Sequence, residues 1–123
     1  MTFIQQQEEA GRAAVAALPE FIRVGPFDFA ITKMSENRAS SERKYGYCSS
    51  MELELAVQRN MPSAQKAVDT FLHEVNHAIY YAYGIADEDK EERTCGTMST
   101  AMVQVFRDNP WLAGWIGAWV HPA

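Results

Sequence analysis

An α+β domain is what the sequence predicts, on three observations. Apolar residues between positions 21 and 57 recur every second residue, those between 64 and 107 every third or fourth. Pro19, Gly25-Pro26, Pro62, Gly84 and Pro110 fall at the joints between these stretches. The chain has 123 residues, enough for a single domain, 1–123, with a modest core.

The elements follow in order. Residues 5–18 are rich in helix formers, and Pro19 closes them; Glu8 and Glu9 lie near the expected start, where the helix dipole favours acids. Residues 21–24 alternate weakly, Gly25-Pro26 signals a turn, and Phe27, Phe29 and Ile31 share one side of a second strand. Residues 35–44 are polar and charged, an expected exposed loop. Within 45–57, Met51, Leu53, Leu55 and Val57 recur at period two with Glu52 and Glu54 opposite, which predicts a third, half-buried strand. Three such strands make a small antiparallel or mixed sheet. Pro62 and Ser63 then open a helix over 64–83 whose apolar arc is Val68, Phe71, Leu72, Val75, Ile79 and Ala82, with Gly84 at its C-terminal cap. After the acidic link Asp87-Glu88-Asp89, a second helix is expected over 88–107 with Cys95, Met98, Met102, Val105 and Phe106 as its stripe. Asp108-Asn109-Pro110 breaks it. Trp111, Trp115 and Trp119, four apart, predict a short final helix with an aromatic face that either covers the domain's own core or meets a partner.

Composition excludes several classes of function. Eleven Lys+Arg against sixteen Asp+Glu leave a formal charge of −5, the wrong sign for a nucleic-acid or anionic-membrane footprint. No apolar run approaches the ~20 residues that span a bilayer. The first residues lack both a basic n-region and an apolar h-region, so no secretory signal is expected. With two isolated cysteines, Cys48 and Cys95, the expectation is reduced thiols and a cytoplasmic location.

His73-Glu74-Val75-Asn76-His77 is HExxH and holds two of the chain's three histidines. Residues four apart share a helix face, so both imidazoles can bind one zinc ion. Glu74 is then placed to activate a zinc-bound water as general base. A chance HExxH arises on the order of once in a few hundred chains of this size, so context carries weight. With His73 at 0° on a helical projection, His77 falls at ~40° and Glu74 at ~100°, while the apolar arc centres near ~200°. The ligands thus face away from the core, with Tyr80 and Tyr81 flanking them. Either tyrosine can donate a hydrogen bond to an oxyanion or simply pack beside the site.

The third ligand is open on the residues alone. Tyr80 and Tyr83 stand where the long metzincin pattern needs Gly and His, which excludes that class. A glutamate on the next helix remains, from Glu88, Glu91 or Glu92, with Glu91 or Glu92 one turn before Cys95. His121 reaches the site only if the tail folds back.

The stretch from Thr70 to Ile79, together with Glu91-Glu92-Arg93 through Pro110, resembles the gluzincin-type zinc peptidases in their smallest form. More narrowly it resembles the ImmA/IrrE-like metallopeptidases and small phage- and prophage-encoded metallopeptidases, over roughly residues 45–110. The resemblance implies a minimal zincin-like domain with zinc held by His73, His77 and Glu92, since Glu92, Cys95 and Met98 match that family's spacing on the second ligand helix. It also implies hydrolysis of a peptide bond with Glu74 as base. A peptide or protein substrate would add as a strand to an edge strand along the cleft. The expected edge strand is 45–57. An alternative reading keeps the scaffold but makes it a non-catalytic, zinc-containing binding or regulatory phage protein, self-associating or holding a protein partner through Trp111, Trp115 and Trp119.

Overall fold

The computed structural model describes residues 1–35, 45–86 and 91–121, and within the last stretch not the side chains of residues 91, 92, 95, 96 and 99. The chain is α+β, with four helices and one four-stranded mixed sheet among the described residues. The expected loop at 35–44 and the acidic link at 87–89 lie outside the described residues, apart from Ser35.

Helix α1 spans Phe3–Ala16. It begins earlier than the composition suggests because Thr2 and Gln5 form a capping box: the Thr2 hydroxyl accepts from Gln5 N at 3.1 Å, and Gln5 Oε1 accepts from Thr2 N at 2.8 Å. Glu8 and Glu9 therefore sit beyond the first turn and do not offset the dipole there. Strands β1, Phe21–Val24, and β2, Phe27–Met34, form an antiparallel hairpin around Gly25-Pro26, with Val24 opposite Phe27.

The expected single strand over 45–57 is two. Strand β3 is Gly46–Ser49 and β4 is Glu54–Gln58, antiparallel to each other, with Cys48 opposite Leu55. Between them the chain turns, with Leu53 at φ 52° and Met51 96% exposed. The period-two pattern runs on through the turn, where it has no face to follow. The sheet thus has four strands, not three, in the order β1-β2-β4-β3, with β2 and β4 parallel. Among the described residues, edge positions fall to β1 and β3.

Helix α2, Ala64–Tyr83, has the expected bounds. Ser63 caps it by accepting from Lys66 N, and Gly84 closes it in the left-handed conformation at φ 62°, which a residue with a Cβ adopts only at a cost. Helix α3 spans Glu91–Asp108 and α4 Trp111–Val120. The buried stripe of α3 includes Ala101 and Val105, with Met98 and Met102 packed beside them, whereas Phe106 is exposed.

Helices cover one face of the sheet. Ile22, Val24, Phe29, Ile31, Leu55 and Val57 meet Val15, Phe71, Val75 and Ile79 there, all buried. Removing a side chain such as Phe71 from water contributes about 1.5–3 kcal/mol. Trp111 and Trp115 pack their rings against Phe71 at 6.2 and 5.4 Å, and the Trp115 indole donates to the Ala14 carbonyl at 3.0 Å. Trp119 also packs against this core, so the tryptophan face covers the domain's own interior. On the opposite face, Tyr47 and Thr32 both donate to the Glu54 carboxylate, beside buried Met34 and Ala56.

Buried Asn109 joins α3 to the sheet. Its Oδ1 accepts from Arg23 N at 3.0 Å, and its Nδ2 donates to Arg23 O and Val105 O, both at 2.8 Å. One side chain thereby satisfies the free edge of β1 and a helix-terminal carbonyl together.

Candidate functional site

The HExxH segment occupies the middle of α2, alongside edge strand β3. A helix residue lies over the turn before it, so His77 leans toward His73. The two Nε2 atoms stand 3.2 Å apart, with the rings nearly perpendicular at 74°. Both side chains are exposed.

Glu74 departs from the projection. It is 6% exposed, tucked under β3 and away from water. Gly46 makes this possible. A Cβ there would fall 2.7 Å from the Ala56 carbonyl oxygen, 3.0 Å from Thr70 Cγ2 and 3.2 Å from Glu74 Oε2. Only a residue without a side chain lets the edge strand close on the carboxylate.

A cleft of about 470 Å³ opens between α2 and β3, lined by Gly46, Tyr47, Cys48, Ser50, His73, Glu74, His77 and Tyr81. It continues toward the start of α2 as a depression of about 300 Å³ holding Tyr45, Lys66, Asp69 and Thr70, with the Lys66 ammonium 5.1 Å from the centre of the Tyr45 ring. On the other flank of the histidines, a hollow of about 420 Å³ is lined by Asn76, Tyr80 and Met98. The two flanking tyrosines are thus divided, Tyr81 to the β3 side and Tyr80 to the α3 side.

Cys48, Gly46 and Ser50 belong to the cleft and were not among the expected site residues. The signal was present: once 46–49 is a strand, Gly46 and Cys48 share the face turned to α2. Burial, and secondarily the negative charge of Glu74, push the Cys48 thiol up to about 11 from an ordinary 9.0. It is therefore protonated at neutral pH.

The histidine pair fits zinc. Two imidazole nitrogens at ~2.05 Å from a common tetrahedral centre lie about 3.3 Å apart, close to the 3.2 Å found. Among the described residues no group of three His, Cys, Asp or Glu side chains is spaced to hold a metal. The expected third ligand, Glu92, and its rival Glu91 have side chains outside the described set, and Glu88 lies outside it altogether. His121 follows α4 at the exposed end of the chain.

No family model, curated protein or solved structure matches the chain. No helix among the described residues is long and apolar enough to cross a membrane.

Proposed function

We propose that the protein is a zinc-dependent peptidase of zincin-like design, acting in the cytoplasm. One observation carries the reading: two imidazole nitrogens at zinc-pair spacing, with a buried carboxylate beside them in a cleft bordered by an edge strand. His73 and His77 would hold the metal, with Glu92 as the proposed third ligand. When bound, zinc supplies Lewis acidity that acidifies a water and polarises a carbonyl.

The chain's own residues do the rest. Glu74 receives the proton of the attacking water on a carboxylate oxygen and delivers it to the departing amine. Its burial keeps competing water away and its position fixed. A peptide laid along β3 would add to the sheet as a further strand, which would set its carbonyl beside the histidines. The rival reading, a binding module working through the tryptophans, has less support, because Trp115 is buried and Trp111 and Trp119 are half-buried against the protein's own core.

The test is metal content and hydrolysis together. Untagged wild type should carry one zinc per chain, lost in His77→Ala and weakened in Glu92→Ala but not in Glu91→Ala. Peptide hydrolysis should vanish with chelator and in Glu74→Gln, which should keep its zinc. Undiminished hydrolysis in clean Glu74→Gln would refute the assignment of the base.

A further inference from the structure

The cleft holds a tyrosine whose hydroxyl has no hydrogen-bond partner among the described residues. Tyr81 stands four residues beyond His77 and eight beyond His73, on the same line of α2. Its Cα lies ~6 Å along the axis from that of His77, and its side chain leans back over the intervening turn. It lines the cleft together with His73, Glu74 and His77.

Its ring is held in place. Phe27 lies against it with centroids 5.3 Å apart, and Phe29 meets it edge-on at 6.5 Å and 86°. Both phenylalanines come from β2, so the sheet itself fixes the ring. The residue lines the cleft and is 47% exposed. Other tyrosines near the sheet are engaged: Tyr47 donates to Glu54, and Tyr83 to Gln104. Among the described residues, the Tyr81 hydroxyl has no such partner.

We propose that Tyr81 donates a hydrogen bond to the substrate's carbonyl oxygen as that oxygen becomes the anion of the tetrahedral intermediate. The inference rests on the peptidase reading above. No bond is made or broken at Tyr81, and its proton stays on the phenol. A donor fixed before the charge develops needs no reorganisation when it does, and this is what gives such donors their effect. Phe27 and Phe29 hold the ring of Tyr81 before any charge develops, which meets that requirement.

Tyr81→Phe removes one oxygen and keeps the ring against Phe27 and Phe29, so unchanged thermal melting should accompany it. Two probes separate the states of the carbonyl. The first is a phosphonamidate peptide, a tetrahedral anion; the second is the matching amide peptide, measured in the Glu74→Gln background so that it survives. With zinc-loaded protein, Tyr81→Phe should weaken the phosphonamidate on the order of 100-fold and leave the amide within about twofold. Kinetically, kcat should fall with KM unchanged.

Equal weakening of both probes, or no weakening of the phosphonamidate, overturns the role of Tyr81. If wild type hydrolyses peptides while Tyr81→Phe behaves identically, the inference alone fails. If zinc-loaded wild type neither hydrolyses peptides nor binds the phosphonamidate, the peptidase reading fails and takes the inference with it.

Discussion

Cys48 sits among the cleft residues as a thiol and not a thiolate, because burial and the Glu74 charge both penalise the anion. The folded protein therefore binds this proton more tightly than the unfolded chain. That contribution to stability is fully present below pH 9 and is lost as pH rises through about 11. In a Cys95→Ser background, iodoacetamide labelling of Cys48 should rise with a midpoint near 11. Glu74→Gln should move that midpoint down, since it removes the smaller of the two causes. Gly46 is the other residue on which the cleft depends. Gly46→Ala places a methyl against the Ala56 carbonyl and beside Glu74, and should cost about 1–3 kcal/mol in urea denaturation. Asn109 is a buried polar side chain that bonds both backbone groups of Arg23. Asn109→Ala leaves both backbone groups of Arg23 without their partner, and a loss of roughly 2–3 kcal/mol should appear in the same measurement.

Among the elements, α2 was the most legible and β3 the least. Ser63, the 3.6-residue apolar arc and Gly84 are local signals, and together they fixed both ends of α2. The stretch 45–57 carried an equally regular pattern, yet the chain folds back within it. Alternation reports which side chains could share a face; it does not report where the backbone reverses. The turn is bridged by Leu53 in a left-handed conformation, one that its residue type does not advertise. At the other end of the chain, the aromatic face of α4 could have covered the core or met a partner, and its tryptophans pack on the core formed with α1 and α2. Its fit is specific, since the Trp115 indole satisfies a carbonyl in the last turn of α1. Trp115→Phe should keep most of the packing but strand that carbonyl, lowering stability by about 1–3 kcal/mol by chemical denaturation.

At the scale of the molecule, a metal held by α2 and the following helix would tie the two elements together. If zinc binds the folded chain and not the unfolded one, then at 100 times its Kd it adds about 2.7 kcal/mol. For a domain of this size that corresponds to roughly 10 °C in Tm, reversed by chelator. A Tm indifferent to zinc would argue against the site independently of any activity assay.

The sequence by itself determined the α+β class, the span and caps of α2, the β1–β2 turn, and the line on which His73, His77 and Tyr81 stand. Each of these depends on neighbours within a few residues, through helical period, capping chemistry or turn preference. Only the tertiary structure decided that, among the described residues, the sheet has four strands with β3 at its edge. It alone buried Glu74 under that edge, brought Gly46 and Cys48 against it, parted Tyr80 from Tyr81, and turned the tryptophans inward. Those outcomes depend on pairings between segments distant in the chain, where strand order and packing, and not local period, set what each side chain meets.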